Sequence, residues 1–192
     1  MMETFHDEAQ RYEYPLTGDS VVLDAGCYHG TFSEGIHQRY GCHVRAFEPV
    51  KQYFEISQAR LAGRTSISLF NFGVGPADAR LPIAVAGDWS SLHLLDRTRV
   101  HEEVEIRNVD SVLDAPVDLM KINIEGAEYD LLDAMLDRGL VSRVKYAQIQ
   151  FHTYGGGEVG AVARRLVIRE RLKATHDEQW CSDFVWESWS RR

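Results

Sequence analysis

No apolar stretch in this 192-residue chain, Val21 to Cys27 included, approaches the roughly 20 residues that a membrane-spanning helix requires. The acidic start Met1-Met2-Glu3-Thr4-Phe5-His6-Asp7-Glu8 lacks the features of a signal peptide, so a cytoplasmic protein with no membrane partner is expected. Cysteine is scarce: Cys27, Cys42 and Cys181 are odd in number, far apart and without a C-x-x-C pair, which excludes a disulfide framework and a zinc site. His6, His29, His37 and His101 show no metal-ligand spacing, and no metal is expected. Positive charge is also short, with 21 basic against 29 acidic residues and a net charge of −8, so duplex nucleic acid is not the expected partner.

What is present suits one folded domain. The composition is 44% apolar and 26% charged, enough to bury a full core. No internal repeat or linker breaks residues 1–192, and residues 1–18 form a helical or extended appendage to a single unit. Strand and helix patterns alternate: strands over 20–25, 43–47 and 65–71, with helices over 31–40 and 51–62 between them. Residues 80–86 and 102–108 read as extra strands around a loop at Trp89-Ser90-Ser91. The alternation then resumes with strands over 117–124 and 144–151 and helices over 127–137 and 158–173. Two short aromatic runs, 176–181 and 184–189, suggest a closing antiparallel hairpin at the sheet edge, its tryptophans packed on a helix. The pattern is α/β, with helices covering a parallel sheet.

Ligands of such sheets bind outside the carboxyl ends of the strands. The first strand ends in Asp24-Ala25-Gly26-Cys27-Tyr28-His29-Gly30, where Gly26 permits a tight turn and Gly30 permits a helix to start close to a ligand. Glu48 follows about 20 residues later, the spacing at which a carboxylate accepts hydrogen bonds from ribose hydroxyls. Tyr28 occupies the middle glycine position of the dinucleotide fingerprint, so a pyrophosphate has no room and a hydride-transferring NAD enzyme is disfavoured. A nucleoside without phosphates fits better, and S-adenosylmethionine is one. Lys121, Asn123 and Glu125 alternate in what should be a buried central strand, which requires partners or a wet crevice. Glu125 and Glu128 could complement a helix dipole or serve the site. His152 ends the next strand, before a flexible loop, Thr153-Tyr154-Gly155-Gly156-Gly157, that could act as a lid; its imidazole could remove a hydroxyl proton.

The chain resembles the FkbM-type S-adenosylmethionine-dependent methyltransferases of the Rossmann-like class I. The resemblance rests on Val22-Leu23-Asp24-Ala25-Gly26 with Gly30, Ala46-Phe47-Glu48-Pro49, Asn71-Phe72-Gly73-Val74-Gly75, Trp89-Ser90-Ser91-Leu92 and the run from Asp118 to Glu128. It implies a mostly parallel seven-stranded sheet, order 3-2-1-4-5-7-6, with an antiparallel C-terminal strand and helices on both faces. The activity it implies is O-methylation of a hydroxyl on a sugar, glycan or secondary metabolite. Glu48 would then hold the ribose, with Asp24, Gly26, Tyr28 and Gly30 around the methionine end and Asn71 and Phe72 beside the adenine. His152 would be the base, with Lys121 and Glu125 also at the catalytic centre and Asn123 and Glu128 orienting substrate. Three positions depart from the family pattern: Asn123 for the usual Asp, Tyr28 for the usual Asn, and Gln150 where an acid is common. The first, with the lack of a separate acceptor domain, keeps open a second reading, a non-catalytic nucleoside-binding or partner-binding module on the same fold.

Overall fold

The computed structural model describes residues 8–84, 101–153 and 158–192. The loop at Trp89-Ser90-Ser91 and the lid expected at Tyr154 lie outside the described residues. The chain runs β1 (Val21–Ala25), α1 (Thr31–Tyr40), β2 (His43–Phe47), α2 (Lys51–Leu61), β3 (Ile67–Phe70), β4 (Gly73–Gly75), β5 (Ala79–Ala84), β6 (His101–Asn108), α3 (Val109–Val112), β7 (Val117–Ile122), α4 (Glu128–Asp137), β8 (Val144–Ile149), α5 (Glu158–Leu172), β9 (His176–Ser182) and β10 (Trp186–Arg191).

Seven strands form one sheet in the order β3-β2-β1-β7-β8-β10-β9. Pairing is parallel from β3 through β8, and β10 inserts antiparallel between β8 and β9. Numbered by position along the chain, this is the implied 3-2-1-4-5-7-6 order, and the aromatic hairpin supplies its last two strands. β5 and β6 join β4 in a separate three-stranded sheet, order β4-β6-β5.

Strand alternation divides the core between the two faces of the large sheet. Leu23, Met120, Ile122 and Ile149 meet Leu131, Leu132 and Met135 of α4 and Ile168 and Leu172 of α5 on one face, where Trp189 is also buried. Val22, Val44, Ala46 and Leu119 meet Phe32 and Ile36 of α1 on the other. Tyr14 and Leu16, from the segment expected as an appendage, are buried in this second cluster. The Tyr14 hydroxyl lies 3.0 Å from both Ser188 Oγ and Gln148 Nε2, which ties the segment to β10 and β8. Trp186 packs under the Arg11 guanidinium, 4.0 Å from the ring centroid, so it meets a short 3-10 helix, Glu8–Tyr12, of this segment, while Trp189 packs with Ile168 and Leu172 of α5.

One expectation needs correction. The strand over 117–124 stops at Ile122, because Glu125 and Gly126 take left-handed φ values of 54° and 99° that no strand accommodates. Asn123 and Glu125 therefore do not continue a single face with Lys121. They belong to a turn at the carboxyl edge of the sheet.

Candidate active site

A cavity of about 390 Å³ opens at that edge. Gly26 and Tyr28 after β1, Glu48 and Pro49 after β2, and Asn123, Ile124 and Glu125 after β7 form one side. Val50 and Tyr53 from the start of α2 and Ile83, Val104 and Ile106 from the small sheet form an apolar side. The small sheet thus serves as a wall of the cavity. Its part in the site was legible in the alternation of Val104 and Ile106 with Glu103 and Glu105, although nothing in that pattern said what it faced.

The glycine turn is set by sterics. Gly26 has φ +78°, and a Cβ there would sit 1.9 Å from the Asn123 carbonyl oxygen, so β7 can approach β1 this closely only across a glycine. Gly30 also has positive φ, but a Cβ there would meet Leu61 and Ser57 of α2 at 3.2–3.4 Å. Its small size serves the packing of α1 on α2, and it does not line the cavity. Lys121 is 3% exposed. Its Nζ lies 3.0 Å from Asp24 Oδ1 and donates to the Gly26 carbonyl at 2.6 Å. Asp24 in turn accepts from Ser33 Oγ at 2.7 Å. This buried pair clamps the turn from beneath and is absent from the cavity wall.

Glu48 is 5% exposed and faces the cavity. One carboxylate oxygen accepts from the Tyr28 amide at 2.8 Å and the other from the Val50 amide at 2.9 Å. Burial pushes its pKa up to about 7, against the two amides that hold it down. Asn71 Nδ2 donates to the carbonyls of Glu48 and Pro49 at 2.9 and 3.1 Å, so it fixes the Glu48 turn from outside the cavity. Phe72 packs with Phe47 and Phe70, centroids 5.5 and 5.6 Å away, and it too is outside the wall.

His152 follows β8. Its Nδ1 lies 3.1 Å from Glu128 Oε1 and its Nε2 3.6 Å from Glu125 Oε1. Burial opposes a charged ring, but the hydrogen bond and charge of Glu128, with the charge of Glu125, outweigh it and raise the His152 pKa above the ordinary imidazole value. Glu125 connects the two regions, since it lines the cavity and touches the imidazole. Glu128 is fully buried, which removes it from direct contact with a substrate.

The polar wall therefore presents two carboxylates, those of Glu48 and Glu125; Asn123 also lines it, with its Oδ1 buried and without a hydrogen-bond partner among the described residues. That set suits a ligand with hydroxyl donors and positive charge. S-adenosylmethionine has ribose hydroxyls, a sulfonium and an ammonium, and the site fits it; a pyrophosphate would face carboxylates. Among the described residues no group of three acidic, histidine or cysteine side chains could hold a metal ion, and no helix is long and apolar enough to cross a membrane.

Comparisons with known proteins agree with the geometry. No curated protein matches the sequence. Among solved structures the chain is similar to methyltransferase FkbM from Methylobacillus flagellatus KT, with a TM-score of 0.61 at 14% identity over 93% of this chain and 45% of that one. This chain thus spans less than half the length of that protein. It is also similar to SMU.1697c from Streptococcus mutans in complex with SAH, with a TM-score of 0.57 at 12% identity over 92% of this chain and 91% of that one. An rRNA methylase from Streptococcus thermophilus gives a TM-score of 0.52 at 14% identity over 92% of this chain and 89% of that one. The methyltransferase FkbM domain matches residues 24–173, from the Asp24 turn through α5. The chain belongs to the FkbM methyltransferase family.

Proposed function

We propose that this chain transfers a methyl group from S-adenosylmethionine to a hydroxyl of a small molecule, a sugar, glycan or secondary metabolite, with His152 as the base. The observation that carries this reading is the His152 imidazole just after β8, joined through Glu125 to a cavity lined by two carboxylates, those of Glu48 and Glu125. S-adenosylmethionine, when bound, would supply a methyl carbon on a cationic sulfonium, the sulfur keeping the electron pair of the bond given up to the acceptor oxygen. This chain's residues do the rest. Glu48 accepts the ribose hydroxyls on the lone pairs its two amide donors leave, and the Gly26 turn, braced by Lys121 and Asp24, positions the amino-acid end. Val50, Tyr53 and Ile106 exclude water from the apolar side, and His152 takes the acceptor's proton. Most of the acceleration comes from positioning oxygen and methyl in line. The base need act only on a proton that becomes acidic as the bond forms.

The charged groups of the described wall, Glu48 and Glu125, are both acidic, and the chain carries a net charge of −8. Both features favour a neutral or cationic acceptor over a nucleic acid, whose phosphates such a surface repels. Calorimetric titration of the protein and of Glu48→Ala with S-adenosylmethionine, followed by a radiolabelled-methyl screen of hydroxyl acceptors and RNA, tests the reading. Binding that weakens at least tenfold in Glu48→Ala, with label on a hydroxyl compound, is expected. Folded protein that binds no S-adenosylmethionine, or that labels only RNA, would refute it.

A further inference from the structure

The Glu125-Gly126-Ala127-Glu128 turn splits two identical side chains between two environments. With left-handed backbone at Glu125 and Gly126, the first carboxylate reaches the cavity, while the second lies beneath the turn at 0% exposure. Burying a carboxylate costs several kcal/mol unless its oxygens are satisfied. Bracing the turn ahead of α4 occupies only one of them: Glu128 Oε2 accepts from the Gly126 amide at 2.7 Å. The other oxygen is committed twice to one residue. Glu128 Oε1 accepts from the His152 backbone amide at 2.7 Å and lies 3.1 Å from His152 Nδ1. Holding His152 at both its backbone and its ring leaves the imidazole little freedom to rotate. An oxygen that offers only lone pairs also requires Nδ1 to bring the hydrogen.

We propose that Glu128 is a positioning residue: it fixes His152 as the Nδ1–H tautomer, so that Nε2, 3.6 Å from the cavity-lining Glu125, is the atom that takes the acceptor's proton. The inference rests on the reading of His152 as the base. The proton leaving the acceptor hydroxyl goes to Nε2, the ring becomes imidazolium, Nδ1 keeps its hydrogen on Glu128, and Glu128 takes up no proton. The groups that bear on the ring are few among the described residues. Glu128 and Glu125 favour its charged form, Lys121 of β7 opposes it, and the Tyr129 phenol donates to the His152 carbonyl at 2.9 Å without touching the ring.

Long-range ¹H–¹⁵N correlation spectra of the labelled full chain across a pH titration read the tautomer and pKa of His152, and His152→Ala identifies its signals among those of the 8 histidines. In the wild type the neutral ring is expected to be protonated at Nδ1. Glu128→Gln is expected to lower the His152 pKa by about one unit or more and to mix the tautomers. Glu125→Gln is expected to lower the pKa with the tautomer unchanged. A wild-type ring protonated at Nε2, or a folded Glu128→Gln with unaltered tautomer and pKa, would overturn the proposal. Should Glu128→Gln fail to fold, the wild-type tautomer and Glu128→Asp, which withdraws the carboxylate by one methylene and should shift the ring in the same direction, decide it. The spectra need no cofactor. Failure of the folded wild type to bind S-adenosylmethionine would therefore defeat the methyltransferase reading separately, whatever the tautomer.

Discussion

Glu48 should make the protein without ligand less stable as the pH rises toward neutrality. Its carboxyl group ionises at about 7 in the fold against 4.5 when unperturbed, because burial penalises the charge more than the Tyr28 and Val50 amides favour it. A folded-state pKa raised in this way means that the native state binds the proton more tightly than the unfolded chain. The stabilisation is complete below pH 4.5 and is lost as the pH climbs through about 7. At 1.36 kcal/mol per unit, the loss is about 3 kcal/mol. Urea unfolding at a series of pH values, wild type against Glu48→Gln, isolates it. The glutamine leaves one backbone amide facing an NH₂ group, a cost of about 1–3 kcal/mol that does not vary with pH. The quantity to compare is the change in stability between pH 4.5 and about pH 8: the constant cost cancels within each protein, and the other titrating groups cancel in the difference between the two. The wild type should lose about 3 kcal/mol more than the variant over this interval. Parallel curves would show that Glu48 is not buried as an acid. S-adenosylmethionine affinity should move the other way, rising with pH in the wild type, since ribose hydroxyls donate best to the ionised carboxylate.

Gly26→Ala forces a Cβ to within 1.9 Å of the Asn123 carbonyl oxygen at a φ of +78° and should cost at least about 2 kcal/mol, read as a fall in melting temperature. Lys121→Met leaves Asp24 buried at 0% exposure without its cation and should cost about 3–5 kcal/mol in urea unfolding. The double variant with Asp24→Asn should recover much of that loss, and strictly additive losses would refute the clamp. Glu125→Gly removes a side chain from a left-handed position, φ 54°, and should leave stability unchanged or raise it by up to about 1 kcal/mol. In the same protein methyl transfer should fall at least tenfold; a destabilised protein with normal turnover would contradict the role given to the turn.

The sheet was legible because its signals are local and redundant. Apolar strands, helix periods and the Asp24 and Glu48 turns recur in one order, and the strand order followed from the family they resemble. The site was legible only as a set of strand ends. The sequence placed Lys121, Asn123 and Glu125 on one face because period two is the only rule that applies inside a strand, and nothing in the letters Asn-Ile-Glu-Gly announces that Glu125 takes a left-handed backbone normally left to glycine. Lys121 and Glu128 read as catalytic or substrate-orienting because a charge in an apolar segment demands a partner. Whether that partner is a ligand or another side chain depends on distances across the sheet, here 3.0 Å to Asp24 and 3.1 Å to His152. Arg11, stacked on Trp186, was missed because the contact joins opposite ends of the chain and neither residue sits in a motif.

Three costs meet at the cavity's residues: an acid whose ionisation is opposed by burial at Glu48, a buried oxygen at Asn123 with no partner among the described residues, and a left-handed glutamate at Glu125. Each has a cheaper substitute that would keep the fold. The turn would accept glycine at 125, and an apolar residue at 123 would leave no oxygen without a partner. Costs scattered over a molecule are explained one at a time, whereas costs gathered around one space point to what fills it. An occupant that donates hydrogen bonds and carries positive charge would favour the ionised Glu48 and would put the Glu125 carboxylate, held there at a backbone cost, to use. By the same logic the non-catalytic reading accounts for Glu48, since a bound nucleoside would satisfy it. It leaves Glu125 and the doubly held ring of His152 without a use, because binding alone requires neither a strained carboxylate nor an oriented imidazole.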